Sequence, residues 1–258
     1  MEKSCIKQNK ITNMDIINSN KEYYAANSET YDVNEQPFIH QGCFLASLLK
    51  KIGYFNKNSM LLDFGAGTGQ STSLLIDIFP SSEIYGIDIS NEALSIAKRK
   101  CPGAKLTLFD GIRIPFPSQC FDGVLVSSVL HHILDYKAIL LEIIRVCKKD
   151  SFIIITQEPN PPFNKIINFI RKIIREELQD LLILSEYHQF NTGGICPEDI
   201  FSVLCENGYS VDTIFNNDAL LDVLYLRHKT LYTILKCLHK MHLPKVFNCS
   251  YNIIGTRS

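Results

Sequence analysis

The sequence lacks a dominant charge: 26 Lys+Arg against 27 Asp+Glu leave its 258 residues a formal net charge of −1. Such a chain has no global field to draw it onto nucleic acid or an anionic membrane, although local patches remain open to it. It also lacks any run near the roughly 18–20 uninterrupted apolar residues of a spanning helix. The stretch Met1–Asn20 is rich in Asn, Lys and Ser and has no apolar core of a secretory signal. A cytoplasmic protein without stable membrane insertion is expected. The nine cysteines are odd in number, scattered, and free of C-x-x-C or Cys/His knuckles. Neither a disulfide framework nor a metal site is therefore expected.

Internal repeats and low-complexity blocks are absent as well, so the chain is parsed by its hydrophobic runs. At 46% hydrophobic content it can bury a sizeable core, and one α/β domain, or one domain with an insertion, is the natural expectation. Short apolar runs stand at Met60–Phe64, Glu83–Asp88, Lys105–Phe109, Phe121–Ser127 and Ser151–Thr156. Between several of them, Gln70–Phe79, Asn91–Lys100 and Tyr136–Cys147 carry helical spacing. Strands alternating with helices predict right-handed βαβ units and a doubly wound parallel sheet covered on both faces. Further on, the sequence predicts a helix within Asn160–Ile195, another from Pro197 to Glu206, a strand at Tyr209–Phe215, a helical stretch from Asp218 to His242 and a last strand within Phe247–Gly255. Seven strands result, the final two joined by a long excursion.

The sharpest local signal is Leu61-Leu62-Asp63-Phe64-Gly65-Ala66-Gly67-Thr68-Gly69-Gln70. An apolar strand enters three glycines at i, i+2 and i+4, and a helix follows. Glycine permits close approach of a ligand to backbone and the dihedrals of a tight turn. A dinucleotide fingerprint would want glycine at position 70, where this chain has Gln70. Nineteen residues after Gly69, the strand Ile84–Asp88 ends in a carboxylate. Adjacent strand ends meet at the switch-point crevice, where Asp88 can accept from a ribose diol or simply open the next helix. Asp110, ending Leu106–Asp110, can accept from an adenine amino group or stand as a turn aspartate.

These residues, with Phe121-Asp122-Gly123-Val124-Leu125-Val126-Ser127-Ser128-Val129-Leu130-His131-His132 and the helix end Glu142-Ile143-Ile144-Arg145-Val146, resemble the class I S-adenosylmethionine-dependent methyltransferases, in particular their type-11 small-molecule branch. The match runs from Ser59 to Thr156, with Lys148-Lys149-Asp150 standing where that family usually has a K-P-G-G turn. The resemblance implies a Rossmann-like, seven-stranded, mostly parallel sheet with an antiparallel last strand and a helical cap insertion. It implies one domain: an N-terminal lid over 1–58, a cofactor core over 59–156, a cap over 157–207 and C-terminal strands over 208–258. S-adenosyl-L-methionine is the implied cofactor and S-adenosyl-L-homocysteine its product. The loop Gly65, Gly67 and Gly69 would pack against the methionine part, Asp88 would bind the ribose hydroxyls and Asp110 would approach the adenine, with Asp63, Phe64, Ala66, Ile89, Gly111 and Ser127 also implied as cofactor-binding. Tyr31, and after it Tyr24, are the expected lid residues.

A base is needed only where the methyl acceptor must lose a proton; His132 and His131 are the candidates, against a role bridging the loop to the next helix. Asp122, near a strand start, is expected to be structural, and Glu158, Tyr187 and His188 to line a substrate pocket. Asn160-Pro161-Pro162-Phe163 resembles an amino-methyltransferase motif but follows the fifth strand, where it serves as a helix-entry loop. The expected acceptor is a small, partly hydrophobic molecule and not a nucleic acid. Two alternatives stay open: a lipid or quinone head group reached at a membrane surface through Arg227–Lys245, and a non-catalytic cofactor-binding module. An oxidoreductase is disfavoured by Gln70.

Overall fold

The computed structural model describes residues 11–34, 39–52, 58–173, 180–216 and 250–257. The predicted helical stretch Asp218–His242, the basic stretch Arg227–Lys245 and the side chain of Tyr31 lie outside the described residues. Two helices, α1 (Asn13–Asn34) and α2 (Ile39–Ile52), precede the sheet. Then β1 (Met60–Phe64), α3 (Gln70–Ile78), β2 (Glu83–Asp88), α4 (Asn91–Lys100), β3 (Lys105–Leu108) and β4 (Phe121–Ser127) alternate. A 3₁₀ turn at Leu130–His132 leads to α5 (Tyr136–Val146) and β5 (Cys147–Pro159). The remainder is α6 (Pro161–Ile173), α7 (Asp180–Ser185), a π turn at His188–Thr192, α8 (Pro197–Glu206), β6 (Ser210–Asn216) and β7 (Ser250–Arg257).

The seven strands lie in the order β3-β2-β1-β4-β5-β7-β6. β1 to β5 pair in parallel, and β7 runs antiparallel to both β5 and β6. The chain reverses direction across the sheet between β1 and β4, so the crevice opens beyond the carboxyl ends of these strands. Strands buried on both faces show as unbroken apolar runs. Along them Leu62, Phe64, Val124, Val126, Ile153 and Ile155 pack on one side with Ile139 and Leu140 of α5. Leu61, Leu125, Phe152 and Ile154 pack on the other with Leu45 and Leu49 of α2 and Leu75 of α3.

Two boundaries differ from the sequence pattern. β5 begins at Cys147 rather than Ser151, because Lys148-Lys149-Asp150 contains no glycine or proline to turn the chain. Lys148 Nζ instead reaches both oxygens of Asp122, at 2.9 Å each, and Asp122 also accepts from Met60 N at 2.8 Å. The predicted Asn160–Ile195 segment is three pieces: α6, α7 and the π turn. Among the described residues, no helix is long and apolar enough to cross a membrane.

Candidate active site

β1 ends in a turn that only glycine enters comfortably. Gly65 has φ +78, and a Cβ there would lie 2.4 Å from Val129 Cγ2. Its N–H and that of Ala66 both donate to Ile87 O at 2.9 Å, folding the loop onto the end of β2. Gly67, at φ +52, faces open space, and its N–H donates to Asp88 Oδ2 at 2.9 Å while Ser90 N donates to Oδ1 at 2.8 Å. Burial raises the Asp88 pKa, and the backbone donors from Ser90 and Gly67 oppose it. Beneath the loop, fully buried Asp63 accepts from Ser71 and Thr72 hydroxyls at 2.8 and 2.6 Å through Oδ2. Burial pushes its pKa to about 6, and its Oδ1 has no hydrogen-bond partner.

A cavity of about 400 Å³ spans the strand ends from Phe109 and Gly111 past β3 to Gln157 near the end of β5. α1 contributes Asn13, Ile16, Ile17, Asn20, Tyr24 and Ser28 to its lining. Those positions recur every three to four residues and so occupy one helix face. Asn20 Nδ2 donates to His132 O at 3.0 Å, and Tyr24 Oη lies 2.9 Å from His132 Nε2. Two side chains of α1 are thereby fastened to the turn that follows β4.

The tandem histidines are in opposite electrostatic states. His131 Nδ1 lies 3.0 Å from Glu158 and its Nε2 3.3 Å from Glu186. Burial alone would lower its pKa, but these carboxylates, Glu158 foremost, outweigh it and hold it at about 10. His131 is an imidazolium whose Nδ1 donates to Glu158, with Glu186 within ion-pair distance of its Nε2. Glu158, wholly buried, also accepts from Val129, Leu130 and His131 N–H at 3.1, 2.9 and 3.1 Å. Burial would raise its pKa, and the His131 cation with these donors brings it below the usual value. His132 is neutral: burial and then the adjacent His131 cation lower its pKa. Its Nδ1 lies 2.8 Å from Ser185 O, and a carbonyl only accepts. The ring proton is therefore on Nδ1, leaving the lone pair on Nε2 to accept from Tyr24.

Of the expected site residues, Phe64, Gly65, Ala66, Gly67, Asp88, Ile89, Gly111, Ser127 and His132 line the cavity. Gly69 instead caps α3 at φ 90. Asp63 lies behind the loop. Asp110 is exposed and accepts from Ile112 and Arg113 N–H at 2.7 and 2.9 Å, forming the turn that presents Gly111. His131 and Glu158 are buried outside the cavity lining. His188 Nε2 faces Ile133 O at 2.9 Å and anchors the loop after His132, with the Tyr187 ring edge-on to it. Sequence reasoning missed Asn20, Gln157 and Glu186. The spacing of Asn13, Ile16, Asn20 and Tyr24 signals the first, but nothing local marks the other two.

Residues 62–155 match the family described as a methyltransferase domain. The chain is 30% identical over 166 residues to a demethylmenaquinone methyltransferase of Thermus thermophilus, covering 58% of this chain and 74% of that protein. The chain belongs to the class I S-adenosylmethionine-dependent methyltransferases, in their type-11 branch. This methyltransferase is also 33% identical over 109 residues to a demethylmenaquinone methyltransferase of Bacillus licheniformis, covering 41% of this chain and only 47% of that one. In fold it is similar to a Haemonchus contortus phosphoethanolamine N-methyltransferase, with TM-score 0.64, 14% identity, and coverage of 96% of this chain and 60% of that chain.

The residues present fit S-adenosylmethionine, the methyltransferase's cofactor. A sulfonium and an α-ammonium need a negative environment; the Asp63 and Asp88 carboxylates stand at the loop, and the buried Asn20 Oδ1 in the roof has no hydrogen-bond partner. The loop keeps open space at Gly67, where a side chain would fill the floor. His131, His132 and Glu186 also bring ligand-type atoms within 4.8 Å of one another. That cluster is accounted for by a hydrogen bond and ion pairs: His132 Nδ1 faces a carbonyl, and both His131 nitrogens face carboxylates.

Proposed function

We propose that this methyltransferase acts on a small, partly hydrophobic acceptor that loses a proton during transfer, and that Tyr24 and His132 handle that proton. The observation carrying this reading is the 2.9 Å contact between Tyr24 Oη and His132 Nε2, on the same cavity as Gly67 and Asp88. Bound S-adenosylmethionine supplies a methyl group on a sulfonium, an electrophile needing no further activation. Gly65–Gly67 would hold its methionine part, Asp88 its ribose hydroxyls, and Ile89, Phe109 and Gly111 its adenine. Asp63 would position the loop from behind, and Ser127 would border the reacting groups. Residues 1–58 would act as a lid and 157–207 as a cap on a single domain.

The protein's task is then alignment, exclusion of water and removal of one proton. Neutral His132, its tautomer fixed by Ser185, offers Nε2 as the base, directly or through the Tyr24 hydroxyl. The His131 cation, fixed between Glu158 and Glu186, is a positioning residue that keeps His132 unprotonated near neutral pH. Beyond β4 the lining carries Ile133, Leu134, Ala138 and Ile139 beside the one carboxylate Asp135, which suits a partly hydrophobic ring. The names of the Thermus and Bacillus relatives favour a reduced naphthoquinone as that ring.

The test is single-turnover methyl transfer to a reduced naphthoquinone with a short prenyl tail, kept anaerobic. His132→Ala should slow transfer by 10²-fold or more, in the range of roughly 10²–10⁴ for acid–base catalysis, with S-adenosylhomocysteine affinity intact. Tyr24→Phe should slow it less. An unchanged rate in His132→Ala would remove the histidine from the chemistry.

A further inference from the structure

The cavity has two halves set by strand order. Its β1, β2 and β3 side carries the loop, Asp88 and Gly111, whereas its β4 and β5 side carries Ser127, Ser128, Val129 and Gln157. The second half is the one left for the methyl acceptor, and here the inference rests on the proposed function. Gln157 is unusual in it on three counts. Its side-chain nitrogen is buried and meets no hydrogen-bond partner. Its backbone is left-handed, at φ 65, a conformation that costs a non-glycine residue of order 1–3 kcal/mol and persists only when its surroundings impose it. And those surroundings do impose it: Asn252 Oδ1 accepts from Gln157 N at 3.1 Å and from Thr156 Oγ1 at 2.6 Å. Asn252 is fully buried in β7, and the β5–β7 register slips between Ile155 and Glu158 to make room.

The neighbouring strand repeats the kink. Ser128 has φ 59 and donates its N–H to Thr156 O at 2.9 Å. A bulge in β5 and the turn after β4 thus meet at one cavity, and the bulge carries a buried amide nitrogen without a hydrogen-bond partner. A buried donor without a partner costs about 1–3 kcal/mol; an oxygen atom on the ligand would relieve it.

We propose that Gln157 determines acceptor specificity: its side-chain N–H donates to a carbonyl, hydroxyl or phenolate oxygen carried on the acceptor's ring. The ligand class is an oxygenated aromatic or quinol-type ring, in preference to a hydrocarbon of the same shape. The methyl itself goes elsewhere on that molecule, and Gln157 takes no part in the proton transfer.

The intact protein, saturated with S-adenosylhomocysteine, is titrated with a matched pair of probes, 1-naphthol and naphthalene. Wild type should prefer 1-naphthol by about 10-fold, the value of one good hydrogen bond. Gln157→Gly removes the amide at a φ that glycine adopts freely, so the fold is kept. Gln157→Leu removes it while filling the space. Both should reduce the preference to about 2-fold or less while S-adenosylhomocysteine binds as in wild type. A preference that survives in Gln157→Gly, or is missing from wild type, overturns the assignment. Methyl transfer to the reduced naphthoquinone, measured in parallel, separates the two readings. A Gln157-dependent preference without transfer rejects the quinol acceptor and keeps Gln157; transfer with a Gln157-independent preference does the reverse.

Discussion

Replacing Glu158 with glutamine changes one atom of a group with no exposed surface, yet four hydrogen bonds end on it. Three come from the Val129, Leu130 and His131 amides and the fourth from the His131 ring. In Glu158→Gln a carboxamide N–H₂ would face donors, and the His131 cation would lose its nearer counter-charge. Breaking a buried pair on one side costs about 3–5 kcal/mol. The raised His131 pKa, to which Glu186 also contributes, points the same way. We expect Glu158→Gln to lose 3–4 kcal/mol at pH 7, as read by urea unfolding. The pH dependence has a definite sign. A raised histidine pKa stabilises fully below 6.5 and ceases to as pH climbs through about 10. The depressed Glu158 contributes above its ordinary 4.5 and stops contributing as pH falls through its lower folded value. The gap between wild type and variant should therefore be widest between about pH 4.5 and 6.5 and shrink toward pH 10. Groups titrating alike in both proteins cancel from the difference. A gap under about 1 kcal/mol at pH 7, or one still undiminished at pH 10.5, would refute the ion-pair account.

Two further outcomes follow from the loop. At 100 times its dissociation constant, S-adenosylhomocysteine should stabilise wild type by about 2.7 kcal/mol; with Asp88→Ala at the same concentration the gain should fall well below 1 kcal/mol, and an equal gain would take Asp88 out of cofactor binding. Gly65→Ala and Gly67→Ala both place a side chain at positive φ, but only the first drives it into Val129. Thermal unfolding should show Gly65→Ala as the worse by about 1–3 kcal/mol, the usual cost of overpacking, and equal losses would contradict the contact.

The glycine loop and the strand-end carboxylate beside the cavity were legible because their determinants are local. A glycine triplet directly after an apolar strand and an aspartate at the next strand end need no long-range information. The β1–β4 strand positions were legible for the same reason, through short apolar runs between helical segments. The start of β5 was not, because the partner that keeps Lys148 extended is Asp122, 26 residues away. Nor did the pattern show that Glu158 holds His131, since the two meet only after β4 and β5 pair in parallel. Gln157 was invisible for a further reason. What marks it is a hydrogen bond not made inside the protein, and no spacing rule encodes an absence.

Strand β7 has a consequence for the order of events during synthesis. It fills the place between β5 and β6, and its Asn252 fixes the Thr156–Gln157 kink from 95 residues downstream. A nascent chain can lay down β1 to β5 and form the cofactor loop long before Asn252 emerges. Until then β5 has an open edge, the kind of exposed surface that invites mispairing and aggregation. The acceptor half of the cavity is completed last, after the slow non-local closure that antiparallel insertion demands. A truncated chain ending before β7 would thus retain the glycine loop and lack the Asn252 anchor of the cavity wall at Gln157.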